Sequence, residues 1–298
     1  MSETESSNET GSAPPGRGVP HRRTALVTGA SAGIGAEFAR LLAHLGYDLV
    51  LVARRAERIE ALAAELSAEC GVSAAALPAD LADAGDLARV EERLRADGTG
   101  DAAPVDLLVN NAGIGGGGDF ARQDPAEIDT MLDLNVRAVV RLARAVIPVQ
   151  IDRRRRAGLA ADANPRMGVV NVSSMAGELA ANPGGSVYGA TKSFVRLWSE
   201  SVAAETAGRG VRVTAVLPGF VRTDMTEGVQ EKGLPDIAFV SKERVVAESL
   251  RAWAAGRDSV VPGAQYKAAG GLLRLIPGAL FKTAARRGGS EEDPHGRD

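Results

Sequence analysis

The sequence predicts an α/β fold: a single doubly wound domain with a mostly parallel sheet and helices on both faces. Three observations predict it. Short apolar runs rich in β-branched residues alternate with amphipathic stretches of about 10 to 15 residues, the pattern of repeated βαβ units. The first run, Thr24 to Thr28, passes through a glycine turn directly into a helical pattern. The polar and glycine-rich stretches fall at the carboxyl ends of the predicted strands, where such sheets bind ligands.

Composition supports one soluble domain. The chain has 298 residues, 45% hydrophobic and 24% charged, with no internal linker interrupting the pattern of elements. A net charge of -3 gives no electrostatic reason to expect a nucleic-acid partner. The basic run Arg153 to Arg156 reads as a solvated helix end whose cations suit the C-terminal dipole. Cys70 is the only cysteine, which fits a reducing, cytoplasmic compartment. His21, His44 and His295 lack ligand spacing, so no metal site is expected. Residues 1–20 are polar and proline-containing with no apolar core, a disordered tail rather than a signal peptide.

The first strand, Thr24 to Thr28, leads into GASAGIG and a helix from Ile34 to Leu45. Gly29, Gly33 and Gly35 permit a tight turn, close approach of a phosphate, and close packing of helix on strand. The second strand, Asp48 to Ala53, ends in Arg54-Arg55 before a helix from Glu57 to Glu69. A dinucleotide fold commonly has an acidic residue about 20 residues after the glycines, to hold a ribose 2′-hydroxyl. Arginine there suits a 2′-phosphate instead, which favours NADP over NAD. The third strand, Val72 to Pro78, ends in Asp80-Leu81, and a helix follows from Ala84 to Arg95. The fourth, Val105 to Val109, ends in Asn110-Asn111-Ala112-Gly113.

A long helix is expected from Pro125 to Arg153, kinked or interrupted at Pro148. Asn135 in its middle is a poor interior residue, which points to a use for its side chain. The fifth strand, Val169 to Val172, breaks at Ser173-Ser174, and a helix restarts near Ser186. Tyr188 and Lys192 lie four apart on that helix and so share a face. A phenol beside an ammonium is a plausible proton donor, because the cation favours phenolate and lowers the tyrosine pKa. A surface Tyr/Lys pair is common by chance; the rest of the chain gives this one its meaning. A sixth strand, Val211 to Leu217, precedes Pro218-Gly219-Phe220-Val221-Arg222-Thr223. A helix from Arg244 to Ala255, capped by Ser241, and a short strand from Ser259 to Val261 complete the set.

Assembled in order, these motifs make the chain resemble a short-chain dehydrogenase/reductase from about Thr24 to Gly263. They are TGASAGIG, AD-L at Asp80, NNAG at Asn110, Asn135, VNVSS, YGATK and PGFVRTDM. Each is weak alone, and the ordered series is specific. The resemblance implies a seven-stranded Rossmann-type sheet and hydride transfer between a nicotinamide and a carbonyl or alcohol carbon. It implies Tyr188 as general acid/base, Lys192 as ribose ligand and tyrosine modulator, and Ser174 as the group orienting the substrate oxygen. It implies that Asn135 holds a water leading from the lysine to solvent. It also implies cofactor contacts at Gly29, Ser31, Gly33, Ile34, Gly35, Arg54, Asp80, Leu81, Asn110, Ala112, Gly113, Pro218, Gly219, Val221 and Thr223, besides Tyr188 and Lys192. Ser174 and Tyr188 are fourteen apart where the family commonly has thirteen. Ser173 and Ser174 therefore both stand as candidates, with Met175-Ala176-Gly177 favouring Ser174.

The expected function is an NADP(H)-dependent oxidoreductase, acting as a reductase on a hydrophobic carbonyl substrate. The alternative is a non-catalytic NADP-binding sensor or scaffold. A homodimer or homotetramer is expected. The apolar and basic stretch 265–287 is expected to pack as a lid or at an interface, ahead of a membrane surface, and 288–298 to be a disordered tail.

Overall fold

The computed structural model describes residues 22–163, 166–179, 181–223 and 235–267. The expected tails, and the stretch 265–287 beyond Lys267, lie outside the described residues. The strands are β1 (Thr24–Thr28), β2 (Asp48–Ala53), β3 (Ala74–Pro78), β4 (Val105–Asn110), β5 (Met167–Val172), β6 (Val211–Val216), β7 (Phe220–Val221), β8 (Phe239–Val240) and β9 (Ser259–Val260). The helices are α1 (Gly33–His44), α2 (Ala56–Cys70), α3 (Ala84–Arg95), α4 (Pro125–Leu132), α5 (Ala138–Arg156), α6 (Ser186–Thr206) and α7 (Lys242–Ala254).

Seven strands form one sheet in the order β3-β2-β1-β4-β5-β6-β9, and every pairing is parallel. This is a single Rossmann-like domain, and the sheet is wholly rather than mostly parallel. The chain starts at the centre, winds outward through β2 and β3, then crosses back to β4 and winds the other way. The reversal lies between β1 and β4, and it opens a crevice at their carboxyl ends.

Side-chain alternation along the strands assigns the helices to two layers. Ala25 and Val27 of β1 point into a cluster with Phe38 of α1, Leu62 and Leu66 of α2, and Val246 and Trp253 of α7. Leu26 points the other way, among Leu87 and Leu94 of α3 and Leu142 and Val146 of α5. Trp198 and Val202 of α6 pack against that second cluster. Because both faces are covered, β1, β4 and β5 are buried at every residue.

A polar chain crosses this packing and fixes α6 to the sheet. Asn110 donates to Asn171 Oδ1 at 2.9 Å, and Asn171 donates to Ser199 Oγ at 2.9 Å. All three side chains are buried, so each bond replaces water that cannot reach them.

The long helix differs from expectation. It is continuous through Pro148, and the departure from α geometry is a π-turn at Asp133–Arg137, between α4 and α5. Pro148 and Arg144, the residue whose carbonyl loses its donor, both lie on the exposed face, so solvent can satisfy the freed oxygen. The widened turn instead carries Asn135 inward. Among the described residues no helix is long and apolar enough to cross a membrane.

Candidate active site

The crevice begins at the glycine turn. Gly29 and Gly33 have φ of +66° and +56°, a backbone that favours glycine. A Cβ at Gly35 would overlap the Gly29 carbonyl and the side-chain amide of Asn111. That amide donates to Thr28 O at 3.0 Å, while Thr28 Oγ1 accepts from the N–H groups of Asn111 and Ala112, both at 3.0 Å. Asn111 thus locks the turn to the end of β4, a role its place in NNAG did not single out.

Among the described residues no N-cap side chain satisfies the start of α1. Its N-cap, Ala32, offers no side-chain bond, and no acidic residue stands in the first turn. The starts of α3, α4 and α7 are capped by Asp83, Asp124 and Ser241. N–H groups left this way, at the positive end of a helix, fit an anion such as a pyrophosphate. Thr223 faces the same turn, 3.1 Å from where a Cβ on Gly33 would stand.

Two guanidinium groups border the turn. Arg55 donates to Ser31 Oγ through Nε at 3.2 Å and Nη2 at 3.0 Å. Among the described residues Arg54 makes a long pair with Asp80, at 4.0 Å, and its side chain is 68% exposed. Arg55 was absent from the contacts that the resemblance implied. Its bond to Ser31, twenty-four residues earlier in the chain, is what places it in the site. Ser31 is its partner there, and Arg54 precedes it in the chain. Asp80 is held by Asp86, which accepts its N–H at 2.8 Å, and its own Oδ1 accepts from Ala82.

Some candidates point elsewhere. The Asn110 side chain is spent on Asn171 and Val139, and those of Leu81 and Val221 are in the core. Ile34 packs half-buried against the same core as Val221. Contacts from Asn110, Leu81 and Val221 to a ligand would be made by main-chain atoms.

The second half of the site stands at the ends of β4 and β5. Lys192 is buried, and its Nζ donates to the Val172 carbonyl at 3.0 Å and lies 5.8 Å from the Tyr188 ring centre. A Cβ on Gly113 would come within 2.9 Å of Asn135 Oδ1 and 3.3 Å of Lys192 Nζ, so the three meet at one point. Asn135 is fully buried; its Oδ1 accepts from Ile114 N at 2.9 Å, and its Nδ2 donates to Ile114 O and Thr191 Oγ1. The Asn135 side chain thus braces the end of β4 against α6.

The two serines separate cleanly. Ser173 Oγ donates to the Lys192 carbonyl at 2.6 Å, inside the seam between β5 and α6. Ser174 Oγ accepts from Ala176 N at 3.1 Å and shares a hydrogen bond with Tyr188. Ser174 is the serine beside the phenol.

Burial dominates the electrostatics of the pair. Burial pushes the Tyr188 phenol above its ordinary value, and the bond with Ser174 pulls it back only in part. Burial also lowers Lys192 itself to about 8. The pair sits with a phenol that keeps its proton and an ammonium whose charged form burial disfavours.

Comparison with known proteins identifies the family. Residues 23–233 match the family model described as short chain dehydrogenase. The chain belongs to this family. Nodulation protein G of Rhizobium sp. (strain N33) is 36% identical over 259 residues, covering 85% of this chain and 98% of that protein. The 3-oxoacyl-[acyl-carrier-protein] reductase FabG of Staphylococcus aureus (strain Mu50) is 36% identical over 212 residues, 70% of this chain and 79% of that protein. A short-chain dehydrogenase from Sphingobium yanoikuyae in complex with NADPH superposes with TM-score 0.72 at 35% identity, covering 93% of this chain and 98% of that one. The present protein is thus a short-chain dehydrogenase/reductase enzyme of a family that binds a nicotinamide cofactor.

The buried lysine of this dehydrogenase gives a signed prediction. Its folded pKa of about 8 lies below the usual 10.5, so the unfolded chain holds more protons between those values, and stability rises with pH across that window. Below the window the cost of burying the cation is fully present. Lys192→Met should therefore stabilise the protein against urea at about pH 7, by on the order of 2 kcal/mol net of the bond lost to Val172, and less so at about pH 10. An equal effect at both pH values would contradict the assignment.

Proposed function

We propose that this dehydrogenase is an NADP(H)-dependent carbonyl reductase for hydrophobic ketones and aldehydes. The observation that carries it is the meeting of Ser174, Tyr188, Lys192 and Asn135 beside the uncapped start of α1. The bound nicotinamide supplies the hydride that reaches the carbonyl carbon, or accepts it in the reverse direction. The turn Gly29 to Gly35 and the α1 N-terminus hold the pyrophosphate, and Arg54 and Arg55, with Ser31, hold the 2′-phosphate. Asp80, Leu81, Asn110, Ala112 and Gly113 border the cofactor along the ends of β3 and β4. Pro218, Gly219, Val221 and Thr223 border it from the other side.

Tyr188 gives its proton to the substrate oxygen as negative charge develops there, and Ser174 holds the same oxygen. Lys192 holds the ribose and, being cationic, favours the phenolate that Tyr188 becomes. Asn135 keeps Gly113 and Ile114 in place against α6. The names of relatives support a carbonyl substrate. One is a 3-oxoacyl reductase. Another, at 32% identity and TM-score 0.67 over 93% of this chain and 96% of that one, is the bulky-bulky ketone specific alcohol dehydrogenase of Comamonas testosteroni.

The enzyme acts as a homo-oligomer through the outer face of α4 and α6. Phe120, Ile128, Leu132, Val136, Val187 and Phe194 line an apolar groove of about 750 Å³ there. Phe120, Phe194 and Leu197 on that face are 64%, 42% and 53% exposed, which a second copy would cover. Phe194→Glu is expected to shift the sedimentation coefficient to that of a monomer; a wild-type protein already monomeric would refute the assembly.

Two-cofactor kinetics on a panel of ketones and aldehydes test the reaction. Apolar ketones should be reduced with NADPH at least about tenfold more efficiently than with NADH, since arginine bonds to a phosphate contribute ~1.5–3 kcal/mol. Arg54→Ala/Arg55→Ala should bring the two close together. Tight NADPH binding with no turnover of any carbonyl or alcohol would replace this reading with the non-catalytic one.

A further inference from the structure

Tyr266 stands in the helical turn after β9, outside every motif that the reaction uses. Its hydroxyl accepts the N–H of Phe220 at 2.9 Å and donates to the carbonyl of Ala238 at 2.7 Å. Its ring lies so close to Gly219 that a Cβ there would overlap three ring carbons. The ring also packs against the small cluster of Met175, Ala215 and Leu217.

These contacts converge on the stretch from Pro218 to Thr223. Phe220 and Val221 form β7, which pairs with β8 through only two residues on each side, Phe220 with Phe239 and Val221 with Val240. So short a ladder is marginal by itself. Arg222 adds an ion pair to Asp236 at 2.5 Å and stacks over Phe239 at 4.5 Å, but both partners of the ion pair are well exposed, and such pairs contribute little. The Tyr266 hydroxyl joins the strands at their base, because Phe220 belongs to one and Ala238 immediately precedes the other.

What this joint holds faces the site on two sides. Thr223, at the far end of the stretch, lies over Gly33 at the start of α1. Pro218, at the near end, accepts the N–H of Met175 at 2.9 Å, and Met175 directly follows Ser174. The ring above Gly219 therefore limits how far the stretch can move away from the glycine turn.

We infer that Tyr266 is a positioning residue for the nicotinamide cofactor. It clamps Pro218 to Thr223 against the glycine turn from the C-terminal side, through its hydroxyl on the backbone and its ring on Gly219. A phenylalanine would fill the same space, so the hydroxyl is the part with a separable effect. The inference rests on the cofactor placement proposed above.

The test uses Tyr266→Phe in the full chain, with NADPH as the probe. Its Kd by fluorescence titration and its KM should both rise about tenfold, the effect of losing two backbone hydrogen bonds, while kcat at saturating NADPH stays within about twofold. A residue that served folding alone would lower the urea midpoint and the active fraction without moving Kd, and that result would overturn the inference. A second pair of variants tests the ring. Gly219→Ala should cost more NADPH affinity in the wild-type background than in Tyr266→Ala, because the added methyl meets the ring only where the ring is present. Equal costs would overturn the clamp. Failure of the wild-type protein to bind NADPH would refute the cofactor reading and this inference together. Wild-type binding with an unchanged Kd in Tyr266→Phe refutes this inference alone.

Discussion

An ammonium group inside the protein is the constraint on which the site depends. Lys192 is buried and bonded to the Val172 carbonyl, so α6 must lie against the end of β5. Its neighbours are arranged accordingly. Ser173 ties the Lys192 backbone to the strand, Thr191 just before it accepts from Asn135, and Gly113 leaves room for the ammonium by having no side chain. Each contact serves the fold, yet together they hold a cation beside a phenol in a place with little water. Burial is unfavourable to the charged form. A fold keeps such a residue where the charge has work elsewhere in the reaction, which is the pattern of functional sites.

The sheet supplies the second half of the geometry. Because the chain begins at the centre and reverses between β1 and β4, the turn after β1 and the loop after β4 are neighbours although they are about eighty residues apart. Asn111 and Thr28 join them by four hydrogen bonds, two through each side chain. The same β4 loop carries Gly113 and Ile114, which Asn135 braces against α6. The uncapped start of α1 and the Tyr188 face of α6 are thus held in one frame through β4. A dinucleotide that spans them requires that rigidity, since a small misplacement between the reacting groups is costly.

Much of this was legible in the chain. The β-branched runs marked the strands, their alternation with amphipathic stretches marked the parallel order, and the residues at their ends marked the crevice. Tyr188 and Lys192 shared a helical face and took their meaning from the ordered motifs around them, and the arginine pair stood out by its position after β2. What sequence did not show depends on contacts between distant residues. Arg55 is tied into the site by Ser31, and Asn111 by Thr28 and Gly29. The choice between Ser173 and Ser174 turned on which way each side chain leaves the strand end, and the loop to Tyr188 made spacing a weak guide. The π-turn at Asn135 was visible only as an ill-placed asparagine, while Pro148 drew the expected break to a solvent-facing position that tolerates it. Tyr266 carried no signal, because its partners are backbone groups far away in the sequence.

The central claim is that the Tyr188 hydroxyl delivers the proton, and replacing that one oxygen tests it most directly. Single-turnover reduction of an apolar ketone by Tyr188→Phe, with NADPH prebound, should be slower than wild type by about a hundredfold to ten-thousandfold. The Kd for NADPH should stay within about threefold, since Phe preserves the ring packing. Retention of most of the wild-type rate by Tyr188→Phe would contradict the account.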